Sequence, residues 1–147
     1  MFGERGNYCL AIVKVKEDYE NIKASLEDIS REMEVSRDGL EVDGVLFKIK
    51  CYLGGDYKFL LVVCGTGAAT SDYACVWCLC PKKERGDLDK TWSMNDSSHG
   101  RTVAKIVDWT KSKNCKHSPI FKFIPLDQVV VDSLNLFLRI ADVLITC

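Results

Sequence analysis

The stretch LEVDGVLFKIKCYLGGDYKFLLVVC, residues 40–64, decides the fold class. Asp43-Gly44 supplies the two positive-φ residues that a type I′ hairpin turn requires. Past the turn, Val45, Phe47, Ile49, Cys51 and Leu53 alternate with Lys48, Lys50 and Tyr52, the period of a half-buried strand. Gly54-Gly55 ends that strand and Asp56 opens the next segment. Residues 57–64 are ambiguous by pattern: a β-branched pair suggests strand, whereas the place directly after Gly-Gly-Asp suits a helix start.

Outward from the hairpin, CLAIVKV (9–15) is a short apolar run bounded by charge and reads as a buried strand. Between the two, residues 17–35 change period. Tyr19, Ile22, Leu26, Ile29 and Met33 recur at threes and fours and mark one apolar helical face, with acids in the first turn where the helix dipole favours them. The expectation is one sheet built from 9–15, 40–42 and 45–53, with this helix packed on it through those five residues.

Downstream, PKKERGDLDKTWSMNDSSHGR (81–101) is polar and turn-rich and reads as a long loop; 102–109 reads as a short helix and 111–119 as another loop. After Pro125, LDQVVVDSLNLFLRIADVLI is apolar on nearly every face and reads as a buried helix. The resulting class is α/β, a mixed sheet with packed helices.

The chain has 147 residues, 47% of them apolar and 28% charged, enough for one domain with a real core. Its net charge of −1 announces no global field for nucleic acid, so any basic surface is local, as at residues 81–85. No run is long enough for a membrane span. The start, MFGERGNYCL, lacks the apolar core of a secretion signal, so the eight cysteines favour an intracellular setting, nuclear or cytoplasmic, with reduced thiols. Cys9, Cys51, Cys64 and Cys147 sit in apolar runs, where a small buried hydrophobe is the simplest role. Trp77, Trp92 and Trp109 read as packing residues.

Two motifs carry chemistry. Asp56 reads most simply as a helix N-cap. An acid at the carboxyl end of a strand also suits a metal carboxylate, because a rigid sheet edge can hold divalent ions for in-line phosphoryl transfer, provided further carboxylates join it. Asp18, Asp127 and Asp132 are the loosest of candidates for that role. Cys75-Val-Trp-Cys78 has the two-residue gap that lets both thiolates bind one Zn²⁺, as half of a tetrahedral site. Cys80, His99, Cys115 and His117 are the in-chain candidates for the other half, and none completes a standard finger spacing. Two plain thiols and a redox pair are the competing readings.

The unit LEVDGVLFKIKCYLGGD…YACVWC resembles the central part of the catalytic core of the V(D)J recombination-activating recombinase and Transib-type transposase family. IPLDQVVVDSLNLFLRIADVL is similar to that family's Ile-Asp-x-Leu-His segment, with Asn135 at the histidine position. The resemblance implies a partial RNase H-like (DDE transposase) fold: a core over 1–80, then a polar loop and helical insertion segment over 81–147. It implies that Asp56 is the second metal-binding acid and that Cys75 and Cys78 are half of a zinc site. The family's first acid would precede Met1, and its final glutamate and zinc-binding histidines would follow Cys147. The expectation is therefore a fragment of a DNA transposase or recombinase, inactive alone, whose parent uses two Mg²⁺ or Mn²⁺ ions. The other expectation is a non-enzymatic zinc-stabilised module in which Cys75, Cys78, Cys115 and His117 share one ion.

Overall fold

The computed structural model describes residues Cys9, 12–134 and Phe137. Helix α1 (Tyr19–Ser36) leads to a hairpin of β1 (Leu40–Val42) and β2 (Val45–Phe47). Then come β3 (Leu53–Gly55), α2 (Tyr57–Val63), α3 (Val103–Asp108) and β4 (Val129–Val131), with 3-10 turns at Lys82–Glu84 and Leu126–Gln128. The molecule is mixed α/β, with small sheets and few helices. Among the described residues no helix is long and apolar enough to cross a membrane.

Helix α1 forms where the period predicts it. Asp18 caps it, its Oδ1 accepting from the Asn21 N–H at 3.1 Å, which satisfies one of the orphan donors of the first turn. Ile22 is buried, and Tyr19, Leu26, Ile29 and Met33 are half-buried. The face is the expected one, but what it packs against is α2 rather than a sheet. The Asp43-Gly44 turn also forms as read, with φ of 52° and 76°.

Among the described residues the expected single sheet does not form, and there are instead two separate two-stranded sheets: antiparallel β1–β2, and β3 paired in parallel with β4. Residues 48–52 leave the ladder, so the predicted strand 45–53 splits in two. Residues 12–15 belong to no strand and are exposed, while positions 10 and 11 fall outside the described residues. The expected helix over 126–145 is likewise corrected at its start. Leu126–Gln128 is a 3-10 turn and Val129–Val131 a strand, because three consecutive β-branched residues fit a pleated, half-buried ladder better than a helix. The rest of that stretch falls largely outside the described residues.

The core gathers Leu60, Leu61 and Val63 of α2 with Val76, Ile106, Cys115, Leu126 and Val129. It therefore draws on both sides of residue 80, and the parallel register Leu53↔Val129, Gly54↔Val130, Gly55↔Val131 ties the two halves together.

Candidate functional site

Asp56 stands where β3 ends and α2 begins. The ambiguous segment 57–64 resolves as helix because this carboxylate caps it, Oδ1 accepting from the Phe59 N–H at 2.8 Å. The side chain is exposed, on the rim of a cavity of about 1100 Å³ that Tyr19, Tyr57, Leu61, Trp77, Lys116, His117 and Val131 also line. Lys58 beside it is ion-paired to Glu17, which raises the lysine's pKa; the Asp56 charge adds a smaller push in the same direction.

The parallel register, continued by one residue, sets Asp56 beside Asp132. The Asp132 N–H donates to the Gly55 carbonyl at 2.9 Å, and Asp132 Oδ1 accepts from the Leu134 N–H at 3.0 Å. Two acids thus stand at the carboxyl ends of neighbouring parallel strands, each accepting from an N–H two or three residues further along its own chain segment. The other acids raised as candidates do not join them. Asp18 caps α1, and Asp127 lies before β4, at the opposite end of that strand from Asp132.

Cys75 is half-buried and Cys78 buried, and the two thiols are close enough to influence each other's titration. The pair sits on a bent segment whose end bridges Cys78 to Gly100 antiparallel, with the Leu79 N–H donating to His99 O and the Arg101 N–H to Trp77 O. Tyr57 fastens this segment to α2, its hydroxyl donating to Ala74 O at 2.9 Å.

The suggested zinc partners are engaged elsewhere. Cys115 Sγ accepts from Arg101 Nη1 at 3.0 Å, which places a cation where zinc would bind. The His117 ring stacks on Tyr19, centroids 4.0 Å apart and planes 10° apart. His99 lies in an exposed loop with Nδ1 3.2 Å from Asp96 Oδ2, and Cys80 Sγ lies against Pro81 O. Among the described residues no three His, Cys, Asp or Glu side chains gather to hold a metal. These residues offer a pair of thiols and a pair of strand-end acids. They do not fit a complete zinc tetrahedron or a complete two-metal centre.

Sequence reasoning missed Arg101. The residue is 1% exposed, and its guanidinium donates to Cys78 O, Tyr73 O and Lys113 O as well as to Cys115 Sγ. It is the strut between the Cys75–Cys78 segment and the 113–115 loop. The basic stretch 81–85 is partly structural too, since Arg85 donates to the carbonyls of Ala69 and Ser71.

Burial gives this region a pH signature. Desolvation pushes the Cys64 thiol from 9.0 up to about 12. It does the same for Cys78, helped by the neighbouring Cys75 thiol. Burial also pushes the Tyr57 hydroxyl from 10.0 up to about 12. All three are held in the neutral form. Their contribution to stability is complete below the unfolded values of 9.0 and 10.0 and is lost as pH rises towards about 12. The midpoint of thermal unfolding should therefore lose no stability from these groups up to about pH 9 and fall steeply above it. A melting point that stays flat through about pH 11.5 would show that these groups are not held neutral by the fold.

No protein-family model matches the chain, and neither a curated protein nor a solved structure matches it.

Proposed function

We propose that this chain is the Asp56-bearing part of an RNase H-like DNA transposase or recombinase, and that it binds a divalent cation weakly without catalysing strand transfer alone. One observation carries the reading: Asp56 and Asp132 stand side by side at the carboxyl ends of parallel β3 and β4. That is the end of a parallel pair at which α/β sheets place their ligands, and the cavity opens beside Asp56. The resemblance over the hairpin, Asp56 and Cys75–Cys78 supplies the family and, with it, DNA as the parent's substrate. In the parent, Mg²⁺ or Mn²⁺ would polarise the scissile phosphate and activate the attacking oxygen. Within this chain the Phe59 N–H fixes the Asp56 carboxylate at the strand end, and Cys75 and Cys78 offer zinc half a site.

Two carboxylates leave most of a cation's hydration shell in place, so binding belongs to the range of about 10⁻⁴–10⁻³ M. The test is a Mn²⁺ titration followed by amide NMR. Broadening should centre on residues 55–59 and 131–134. Asp56→Asn keeps the capping oxygen and should leave stability within about 0.5 kcal/mol of wild type while weakening Mn²⁺ binding about tenfold. Asp56→Ala should cost about 1 kcal/mol in addition. Broadening that is diffuse, or unchanged in Asp56→Asn, would sink the assignment.

A further inference from the structure

The Cys75–Cys78 pair offers a metal two donors and no more. Val76 and Trp77 bend the chain between the cysteines, and the two thiols lie close enough to influence each other's titration. Among the described residues no third His, Cys, Asp or Glu side chain completes a group with them. Cys80 Sγ, the nearest in sequence, lies against the Pro81 carbonyl instead. The segment around the pair is apolar: Ala74, Val76 and Leu79 are all buried.

Such a site sorts metals by the number of ligands they need. Zn²⁺ takes four, so two waters would have to join the pair against an apolar wall, where polar groups are costly to leave half-satisfied. Cu⁺ is soft and favours thiolate, and two sulfurs in line complete its shell. Charge points the same way. Binding Cu⁺ displaces two thiol protons and leaves the site with one negative charge, whereas Zn²⁺ on the same two thiolates leaves none. Arg101 supplies the counter-charge. It is buried, forms no ion pair among the described residues, and donates to the Cys78 carbonyl at 3.3 Å. A buried cation gains from an anion placed on a segment it already holds.

We propose that Cys75 and Cys78 form a two-coordinate site for Cu⁺, separate from the strand-end acids. The test is an anaerobic titration of the reduced full chain with Cu⁺ against bicinchoninate, a chelator that strips copper from weakly binding thiols. Wild type should take one Cu⁺ per chain from the chelator, release two protons, and keep the ion in excess Zn²⁺. X-ray absorption should show two sulfur neighbours. Loss of a hydrogen-bonding partner to a metal ligand already costs up to about a hundredfold, so Cys75→Ser, which removes a ligand outright, should weaken binding by at least that much. Cys80→Ser should leave the affinity unchanged. Because Cu⁺ is diamagnetic, amide NMR of wild type locates the ion without any variant, and the shifts should centre on residues 74–79. Failure to compete with bicinchoninate overturns the proposal, as does displacement by Zn²⁺. So do a third sulfur neighbour, undiminished binding in Cys75→Ser, or amide shifts centred elsewhere.

Discussion

Replacing Arg101 by Met is expected to lower the free energy of unfolding by about 3–5 kcal/mol, the largest effect of any single side chain here. Burying a charge is expensive, and exchanging a buried ion pair for apolar residues is often neutral or stabilising. That outcome requires both partners to become apolar. Here the partners are the main-chain carbonyls of Tyr73, Cys78 and Lys113 and the sulfur of Cys115, and no side-chain substitution removes a carbonyl. Methionine fills much of the volume but strands three acceptors at a residue that is 1% exposed. Each stranded acceptor costs about 1–3 kcal/mol. Desolvation therefore wins over packing. Arg101→Lys should fall between the two, because one ammonium cannot reach acceptors on three separate segments as a planar fork does. Urea unfolding monitored by tryptophan fluorescence measures the difference. A Met variant within about 1 kcal/mol of wild type would mean that the guanidinium does not brace these segments.

The same residue marks where the sequence stops being readable. Arg101 sits in a polar loop, where arginine ordinarily means surface, and its acceptors are carbonyls that no side-chain pattern encodes. The parallel β3–β4 pair was hidden for a related reason. Its strands are three residues each and lie far apart along the chain, and the second is embedded in a run so apolar that length argued for helix. Only the trio Val129-Val130-Val131 could have signalled strand. By contrast, α1 was legible because a long amphipathic period and acids crowding its start point the same way. The Asp43-Gly44 turn and the Asp56 cap were legible because each rests on chemistry local to two or three residues. The candidate site divides along the same line. Asp56 and the neighbouring Cys75–Cys78 pair could be named from spacing, whereas the placement of Asp132 beside Asp56 depends on non-local strand pairing.

Gly65→Ala is expected to destabilise the chain by about 3 kcal/mol or more and to deform the cavity next to Asp56. Gly65 ends α2 with φ of 71°, a conformation that costs a side-chain-bearing residue about 1 kcal/mol. Strain is the smaller part. A Cβ there would fall inside the van der Waals shell of the His117 carbonyl oxygen and within 2.7 Å of its carbon. The contact is with backbone, so no rotamer change relieves it. Nor can the loop simply retreat, because the Gly65 carbonyl accepts from the N–H groups of both Lys116 and His117, at 2.8 and 3.0 Å. Moving His117 away breaks those bonds and lifts its ring from Tyr19, a stack that forms one wall of the cavity. Gly44→Ala separates the two costs. It also has a positive φ, 76°, but a Cβ there meets nothing within 4 Å, so it carries strain alone. The excess loss in Gly65→Ala over Gly44→Ala, about 2 kcal/mol in denaturant unfolding, measures the collision with the 117–118 backbone. Equal losses in the two variants would mean that the loop yields freely and that α2 does not hold the cavity wall in place.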